Sequence, residues 1–266
     1  MNQQKSIPAI VVFDIDGVIR DVSGSYRRAL ADTVEHFTAQ AYRPTADDID
    51  RLKSEGVWNN DWEGSQELIY RYFKTQGQSP EQIKLDYNSI VDFFQSRYRG
   101  NDPNKLTGYI CDEPLLLHSS YLNQLTEAGI LWGFFSGATR ASATYVLQER
   151  LSLKSPVLIA MEDAPGKPDP TGLFSTIELL KNGVDNINSS LPIIYVGDTV
   201  ADMYTVEKAR NIESNCTWIG VGVLPPHVQE TEEKRANYTD SLKKAGATIV
   251  LSNVEELTPG IIQELI

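Results

Sequence analysis

The sequence predicts an α/β fold in which a doubly wound parallel sheet carries an inserted all-helical domain. Short apolar runs alternate with amphipathic helical segments along most of the 266-residue chain, and most regularly after residue 105. Such alternation is typical of parallel strands joined by right-handed crossovers. Residues 20–105, by contrast, show helical spacing and no convincing strand. An early strand therefore belongs to the sheet, and the helical block is an insertion that follows it.

Composition excludes some partners and raises the question of a metal ion. Hydrophobic residues make up 41% of the chain and charged residues 23%, as is usual for globular proteins. The formal net charge of -12 argues against a nucleic-acid partner, because such proteins meet phosphates with lysine and arginine. An acidic chain that handles a small phosphorylated compound needs a local cation, which a bound metal ion would supply.

The sequence also predicts the cellular setting. Cys111 and Cys216 lie far apart, without metal-ligand or redox spacing, and we expect free thiols in a reducing compartment. Residues 1–8 lack the apolar core of a signal peptide, and no apolar run approaches the roughly 20 residues that span a bilayer. We therefore expect a soluble, cytoplasmic protein with no membrane partner. Its oligomeric state is not predicted.

The individual elements follow from the spacing of apolar residues. Helices are predicted in the insertion at residues 25–39, 45–54, 65–76 and 79–98. Strands are predicted at residues 10–13, 130–135, 156–160, 191–197, 216–222 and 247–251. Further helices are predicted at residues 119–128, 140–151, 171–182, 201–210 and 231–245, with a helical tail at the end. The predicted division is thus a core of residues 1–19 and 106–266 and an insertion of residues 20–105.

Two carboxylates follow the first predicted strand. Asp14 and Asp16, with Gly17 behind them, come directly after the apolar run 10–13. Ligands of open α/β sheets bind outside the carboxyl ends of the strands, so both acids are expected at the mouth of a site. An ordinary Asp/Gly turn is the alternative interpretation.

Three more polar clusters lie at or soon after predicted strand ends, and together the four resemble a known signature. The clusters are Ser136-Gly137, Gly166-Lys167-Pro168, and the segment 197–202 with Asp198 and Asp202. Each is weak alone, but the ordered set resembles the four motifs of the haloacid dehalogenase (HAD) superfamily. The helical insertion resembles the type-1 cap of the phosphatase subfamily. The resemblance implies a Rossmann-like core and a cap that governs substrate specificity.

The resemblance also implies a role for each motif residue. Asp14 would be the nucleophile that forms an aspartyl-phosphate, and Asp16 the general acid and then the base, with its backbone carbonyl on the metal. Lys167, Ser136 and the Gly137 backbone N–H would bind the phosphate. The remaining two acids, Asp198 and Asp202, would be a metal ligand and a carboxylate that orients a metal-bound water or Lys167. Together with Asp14 and Asp16, the hard oxygen ligand Asp198 suits Mg²⁺.

Some of these residues also have simpler interpretations. Ser136-Gly137 is compatible with a plain turn, Lys167 with a solvated loop charge, and Asp202 with a favourable charge at a helix N-terminus. Glu162 and Asp163, ahead of the lysine loop, are interpreted as solvated charges, with a supporting role beside the site as the alternative.

Substrate choice is expected to depend on the insertion. Its loop 56–64 holds amide and carboxylate groups flanked by Trp58 and Trp62, and packing of the cap helices is an equal alternative for the two rings. Two further candidates are Arg20, at the entry to the insertion, and Arg140, after the second motif. The possible substrate-binding residues are thus Arg20, Asn59, Asn60, Asp61 and Arg140.

The resemblance predicts a Mg²⁺-dependent phosphatase, a hydrolase that acts on a small phosphorylated metabolite. Sugar phosphates, phosphoglycolate-like acids and amino-alcohol phosphates all remain open. A phosphomutase shares the motifs and the cap. A dehalogenase uses no Mg²⁺ and leaves no alkoxide to protonate, so Asp16 argues against it. A catalytically idle binding protein would be expected to have lost at least one of Asp14, Asp16, Lys167 and Asp198, and all are present.

Overall fold

One parallel sheet organises the molecule, which confirms the predicted α/β class. The computed structural model describes residues 8–58, 60–78, 83–102, 105–184 and 191–266. The six strands have the order β3-β2-β1-β4-β5-β6. They are β1 (Ile10–Phe13), β2 (Leu131–Phe135), β3 (Leu158–Ile159), β4 (Ile193–Gly197), β5 (Trp218–Val223) and β6 (Ile249–Leu251). The strand order reverses between β1 and β4, which is where doubly wound sheets bind their ligands.

The first strand is buried on both faces of the sheet. Val11 and Phe13 pack into one hydrophobic cluster, whereas Ile10 and Val12 pack into another on the opposite face. Successive side chains of a strand point to opposite faces, so both faces of β1 are covered. This double burial explains the continuous apolar run that precedes Asp14, because parallel strands covered on both sides lack the polar alternation of half-exposed ones.

The chain divides into two compact units. Met1–Asp21 and Leu115–Ile266 form the core unit, and Val22–Pro114 forms the helical unit. The helical unit thus extends beyond the predicted boundary at residue 105. A 3₁₀ turn at Tyr109–Asp112 explains the extension, because the Tyr109 hydroxyl donates a hydrogen bond to Asp32 at 2.7 Å.

The helical unit contains α1 (Tyr26–Phe37), α2 (Ala46–Ser54), α3 (Asp61–Thr75) and α4 (Tyr87–Tyr98). Thr45 caps α2, since it forms a capping box with Asp48. The predicted start of α3 at residue 65 is wrong. The start predicted at residue 79 lies outside the described residues, and α4 begins at Tyr87. Asn60 caps α3 and Asp86 caps α4, because each accepts backbone N–H groups of the first turn.

The helices described in the core unit are α5 (Ser119–Glu127), α6 (Arg140–Thr144), α7 (Thr171–Asn182), α8 (Val200–Ile212), α9 (Glu232–Lys244) and α10 (Pro259–Leu265). The segment predicted as one helix at residues 140–151 continues after α6 as π-helical turns over Tyr145–Arg150. Strand β3 is shorter than predicted because it pairs with β2 alone, through two residues. None of the helices within the described ranges combines the length and apolarity needed to cross a membrane.

Candidate active site

Three of the four motifs follow adjacent central strands. Asp14 follows β1, Ser136 follows β2 and Asp198 follows β4, and β1 pairs in parallel with both of the other strands. The carboxyl ends of these strands therefore meet at one edge of the sheet, although their residues lie far apart in the sequence. The remaining motif, Gly166-Lys167-Pro168, lies on the loop between β3 and α7.

Lys167, from that loop, reaches the acids of the first and last motifs. Its Nζ lies 2.8 Å from Asp14 Oδ1 and 2.7 Å from Asp202 Oδ1. The exposed fractions of these three side chains are 2%, 9% and 0%, so the ion pairs are buried. A solvated loop charge, the simpler interpretation of Lys167, does not describe this environment.

Two aromatic rings approach the Lys167 ammonium. Nζ lies 5.4 Å from the ring centroid of Phe135 and 5.5 Å from that of Tyr195. Both distances are within the range of favourable cation–π contacts. Gly172 makes room for the first ring, because a Cβ at this position would lie 2.1 Å from Phe135 Cε2.

Asp202 belongs both to the site and to a helix cap. Its Oδ1 accepts hydrogen bonds from Lys167 Nζ and, at 3.1 Å, from the Tyr195 hydroxyl. Its Oδ2 accepts from the Thr199 backbone N–H at 2.9 Å and from the Thr199 hydroxyl at 2.7 Å, which closes the capping box of α8. The helix-terminus interpretation of Asp202 and its predicted orienting role are therefore compatible. Four donors on its two oxygens favour orientation of Lys167 over direct binding of a metal.

Acidic oxygens cluster around this ion pair. Asp14, Asp198 and Asp202 each offer one oxygen, and the three oxygens lie within 4.8 Å of one another. Gly17 allows the approach of Asp198: its φ is +76°, and a Cβ there would lie 2.0 Å from Asp198 Oδ2. Only glycine adopts such a backbone conformation without strain and also leaves this space free.

The electrostatics of the cluster show a shortage of positive charge. Burial raises the pKa of Asp14 to about 7; Lys167 opposes the shift, and Asp202 and Asp16 add to it. Burial and the neighbouring carboxylates also raise the pKa of Asp198 well above its usual value. Burial alone would lower the pKa of Lys167, but Asp14 and Asp202 outweigh it and raise the pKa. One lysine thus neutralises the site incompletely, and hard oxygen ligands with excess negative charge fit a divalent cation such as Mg²⁺.

The second motif forms a hydrogen-bonded turn at the end of β2. Ser136 is buried, its backbone N–H donates to the Ile159 carbonyl at 3.0 Å, and its Oγ accepts from the Ala138 backbone N–H at 3.1 Å. Gly137 is half-buried. The turn interpretation is thus correct as local structure, and the phosphate-binding role of the two residues stays a prediction.

The two arginines among the possible substrate-binding residues have acidic partners in the core unit. Arg20 is completely buried and forms an ion pair with Asp16. Arg140 is exposed; its guanidinium pairs with Asp163, and its backbone N–H donates to Glu162. Arg140 therefore lies at the surface of the core unit, and substrate binding by it stays a prediction.

The candidate residues of the helical unit already have structural partners. Asn60 Oδ1 accepts the backbone N–H of Trp62 at 2.9 Å as the cap of α3. Asp61 lies 2.7 Å from Lys53 Nζ. The Trp58 indole donates to Glu55 at 2.7 Å. Asn59 lies outside the described residues. Substrate binding by these groups stays a prediction.

Tyr195, Phe135 and Thr199 support the site but are absent from the sequence-based predictions. Tyr195 had a recognisable signal, because it places a hydroxyl in an otherwise apolar strand directly before the fourth motif. Phe135 and Thr199 had no comparable signal, since their contacts with Lys167 and Asp202 depend on the tertiary fold.

The buried ion pairs of Lys167 predict a large effect on stability. We expect Lys167→Met to lower the free energy of unfolding by about 3–5 kcal/mol, because it leaves two buried carboxylates without their cation. The loss should be larger at about pH 8 than at about pH 6, where protonation relieves the repulsion. Urea unfolding measures both values. Lys234→Met is the control: its surface pair with Glu230 should contribute at most about 1 kcal/mol, and an equal loss in both variants would contradict the assignment.

Solved structures with the same fold cover three quarters or more of the chain. A hydrolase from Pseudomonas syringae has a TM-score of 0.61 and 16% identity, over 97% of this chain and 98% of that one. A β-phosphoglucomutase from Clostridium difficile has a TM-score of 0.59 and 18% identity, over 97% and 96%. A phosphatase from Thermococcus thioreducens has a TM-score of 0.55 and 22% identity, over 76% and 88%. At these identities the likeness shows the fold alone.

Sequence comparison places the chain in a family. A curated relative, imidazoleglycerol-phosphate dehydratase from Phytophthora nicotianae, is 29% identical over 259 residues. The match covers 94% of this chain and 50% of the relative, so the chain spans about half the length of that protein. The sequence model for haloacid dehalogenase-like hydrolases matches residues 8–210, a range that contains all four motifs. The chain therefore belongs to the haloacid dehalogenase-like hydrolases.

Proposed function

We propose that the protein is a Mg²⁺-dependent phosphatase that hydrolyses a small phosphomonoester through an aspartyl-phosphate. The observation that carries this proposal is the buried arrangement of Asp14, Lys167 and Asp202 at the carboxyl end of β1, with Asp198 in the same cluster. A carboxylate can attack a phosphate only where cations offset the repulsion between the two anions. Lys167 supplies one such charge at 2.8 Å from the proposed nucleophile.

The proposed reaction has two steps. In the first, Asp14 attacks phosphorus, the P–O bond to the alcohol breaks, and Asp16 gives its proton to the leaving oxygen. In the second, Asp16 takes a proton from water, and the water attacks phosphorus and frees Asp14. Ser136 and the Gly137 backbone N–H hold phosphate oxygens, and Asp202 keeps Lys167 beside Asp14.

The metal-binding residues in this proposal are Asp14, Asp198 and the backbone carbonyl of Asp16. When bound, Mg²⁺ supplies positive charge that stabilises the phosphoryl group during transfer. The raised pKa values of Asp14 and Asp198 support this assignment, because both carboxylates lack a full complement of positive charge.

The size of the substrate and its setting are also part of the proposal. The helical unit follows the nucleophile's strand, as the cap does in the resembling phosphatases, and we assign substrate selectivity to it. Such caps suit small ligands better than nucleic acids or proteins, and the acidic net charge agrees with this. The free thiols of both cysteines support a cytoplasmic setting.

The central prediction concerns the nucleophile and the metal. Hydrolysis of p-nitrophenyl phosphate should require Mg²⁺ and stop in EDTA, and Asp14→Asn should lower kcat by at least about 1,000-fold because an amide cannot form the phosphoenzyme. Phosphate release measures both effects. Asp240→Asn is the control, since Asp240 is exposed on α9 and should keep its activity. Full activity in EDTA, or an active Asp14→Asn variant, would exclude the mechanism.

The pKa of Asp14 predicts how metal binding depends on pH. Because the pKa of Asp14 is about 7, the cation must displace a proton from this carboxyl at lower pH. At higher pH the carboxyl is ionised, and the cation neutralises its buried negative charge. Mg²⁺ should therefore raise the melting temperature more at about pH 8 than at about pH 6. Differential scanning fluorimetry measures the rise. It should be small in Asp198→Asn, and an equal rise at both pH values would argue against these ligands.

A metabolite panel tests the substrate class. We expect at least one phosphomonoester to exceed p-nitrophenyl phosphate by about tenfold or more in kcat/KM. The panel includes imidazoleglycerol phosphate, because the curated relative is named for it, and glucose phosphates, because one structural neighbour is named a phosphoglucomutase. ³¹P NMR separates inorganic phosphate from an isomerised ester. Isomerisation without release would replace the phosphatase with a phosphomutase.

A further inference from the structure

We infer that Arg20 is a positioning residue for Asp16, a role that rests on the proposed phosphatase function and refines it. The Arg20 guanidinium fixes Oδ1 of the Asp16 carboxyl, so that Oδ2 is the oxygen that exchanges the proton with the leaving group and with water. Arg20 is thus assigned to the orientation of the proposed acid–base group and not to substrate binding.

The contact between the two side chains is one short hydrogen bond reinforced by a close charge contact. Arg20 Nε donates a hydrogen bond to Asp16 Oδ1 at 2.6 Å, and Nη2 also lies 2.6 Å from the same oxygen. Arginine keeps its charge under all conditions relevant to proteins, so Asp16 Oδ1 always faces a cationic donor. Charge-assisted contacts of this kind are among the strongest hydrogen bonds in proteins.

The backbone fixes the position of Arg20 relative to Asp16. The Gly17 N–H donates to the Arg20 carbonyl at 2.9 Å, and the Arg20 N–H donates to the Ile15 carbonyl at 3.2 Å. The Leu116 N–H donates to the Ile19 carbonyl at 2.8 Å, which ties the end of this turn to the returning chain. These bonds fix the backbone of the turn between Ile15 and Arg20, so the side chains of Asp16 and Arg20 leave one short turn.

The side chains of Arg20 and Asp16 differ in solvent exposure. The Arg20 side chain is 0% exposed, whereas that of Asp16 keeps 26% of its surface. Within the described part of the chain, the hydrogen bond and the ion pair of the Asp16 side chain both end on Oδ1. Oδ2 is therefore the oxygen left to meet the substrate. Because Arg20 has no exposed surface of its own, we assign its effect on the reaction to Asp16.

A pair of substrates with different leaving groups tests this assignment. An alkyl phosphate needs a proton on its leaving oxygen, whereas dinitrophenolate departs without one. Arg20→Met should lower kcat/KM for an alkyl phosphate by about 100-fold, because a misplaced acid loses that much, and for 2,4-dinitrophenyl phosphate by less than about threefold. The ratio of the two values is independent of the folded fraction, so it stays informative if the variant is unstable.

Three further variants sharpen the experiment. Arg20→Lys keeps one charged donor without the fork and should recover part of the loss. Asp16→Asn combined with Arg20→Met should be no worse on the alkyl phosphate than Asp16→Asn alone, because both changes remove the same function. Arg210→Met is the matched control: Arg210 pairs with Glu207 and donates to the Trp218 carbonyl, neither of which is a proposed site residue, and its substrate ratio should match the wild type.

Two outcomes would overturn the role of Arg20. An equal loss on both substrates would mean that Arg20 acts on folding or on phosphate binding in general, and a weakened inhibition by inorganic phosphate would identify it as a phosphate contact. Failure of the proposed function has a different signature, since the wild-type protein would then lack activity that depends on Asp14. If that activity is present and the ratio of the two kcat/KM values is the same in Arg20→Met as in the wild type, only the role of Arg20 is excluded.

Discussion

The charge balance around Lys167 is the constraint on which the rest of the site depends. One buried ammonium faces Asp14 and Asp202, and Asp198 adds a third carboxylate within the same small volume. Buried charges are costly unless they are paired, and here one cation serves more than one anion. The surrounding residues reduce that cost: Tyr195 and Thr199 donate to Asp202, and the rings of Tyr195 and Phe135 lie near the ammonium. The remaining negative charge is what makes the site suited to a divalent cation.

The topology of the sheet explains how residues so distant in sequence form one cluster. The central position of β1, between β2 and β4, brings the ends of three strands together, and the reversal of strand order leaves this edge open to a ligand. The turn after β1 then has to pass very close to Asp198, which only glycine at position 17 permits. Burial of β1 on both faces fixes the direction in which Asp14 leaves the sheet. The same short segment, from β1 to Gly17, therefore serves both the hydrophobic core and the proposed reaction.

Sequence patterns predicted the elements that are determined by residues close together in the sequence. The strands could be recognised because apolar runs end at polar residues, and the four motifs because their ordered set resembles that of a known superfamily. The start of α3 was missed because Asn60, a capping residue, looks like any polar loop residue until its partners Trp62 and Glu63 are known. The extent of the helical unit depends on Tyr109 meeting Asp32, and the support of Asp202 by Tyr195 depends on strand geometry. Contacts of this kind join residues that no periodicity relates, so sequence alone does not reveal them.

The two acids after β1 differ in their surroundings in the way that the proposed mechanism requires. Asp14 is almost wholly buried and lies against Lys167, an environment that aligns a nucleophile and screens its charge from an approaching phosphate. Asp16 lies two residues further along, is partly exposed, and has an arginine on one oxygen. A group that gives a proton to an alcohol and later takes one from water needs access to solvent and one free oxygen. The same short turn thus supplies a screened acid and an accessible one, and the difference arises from which buried cation each of them meets.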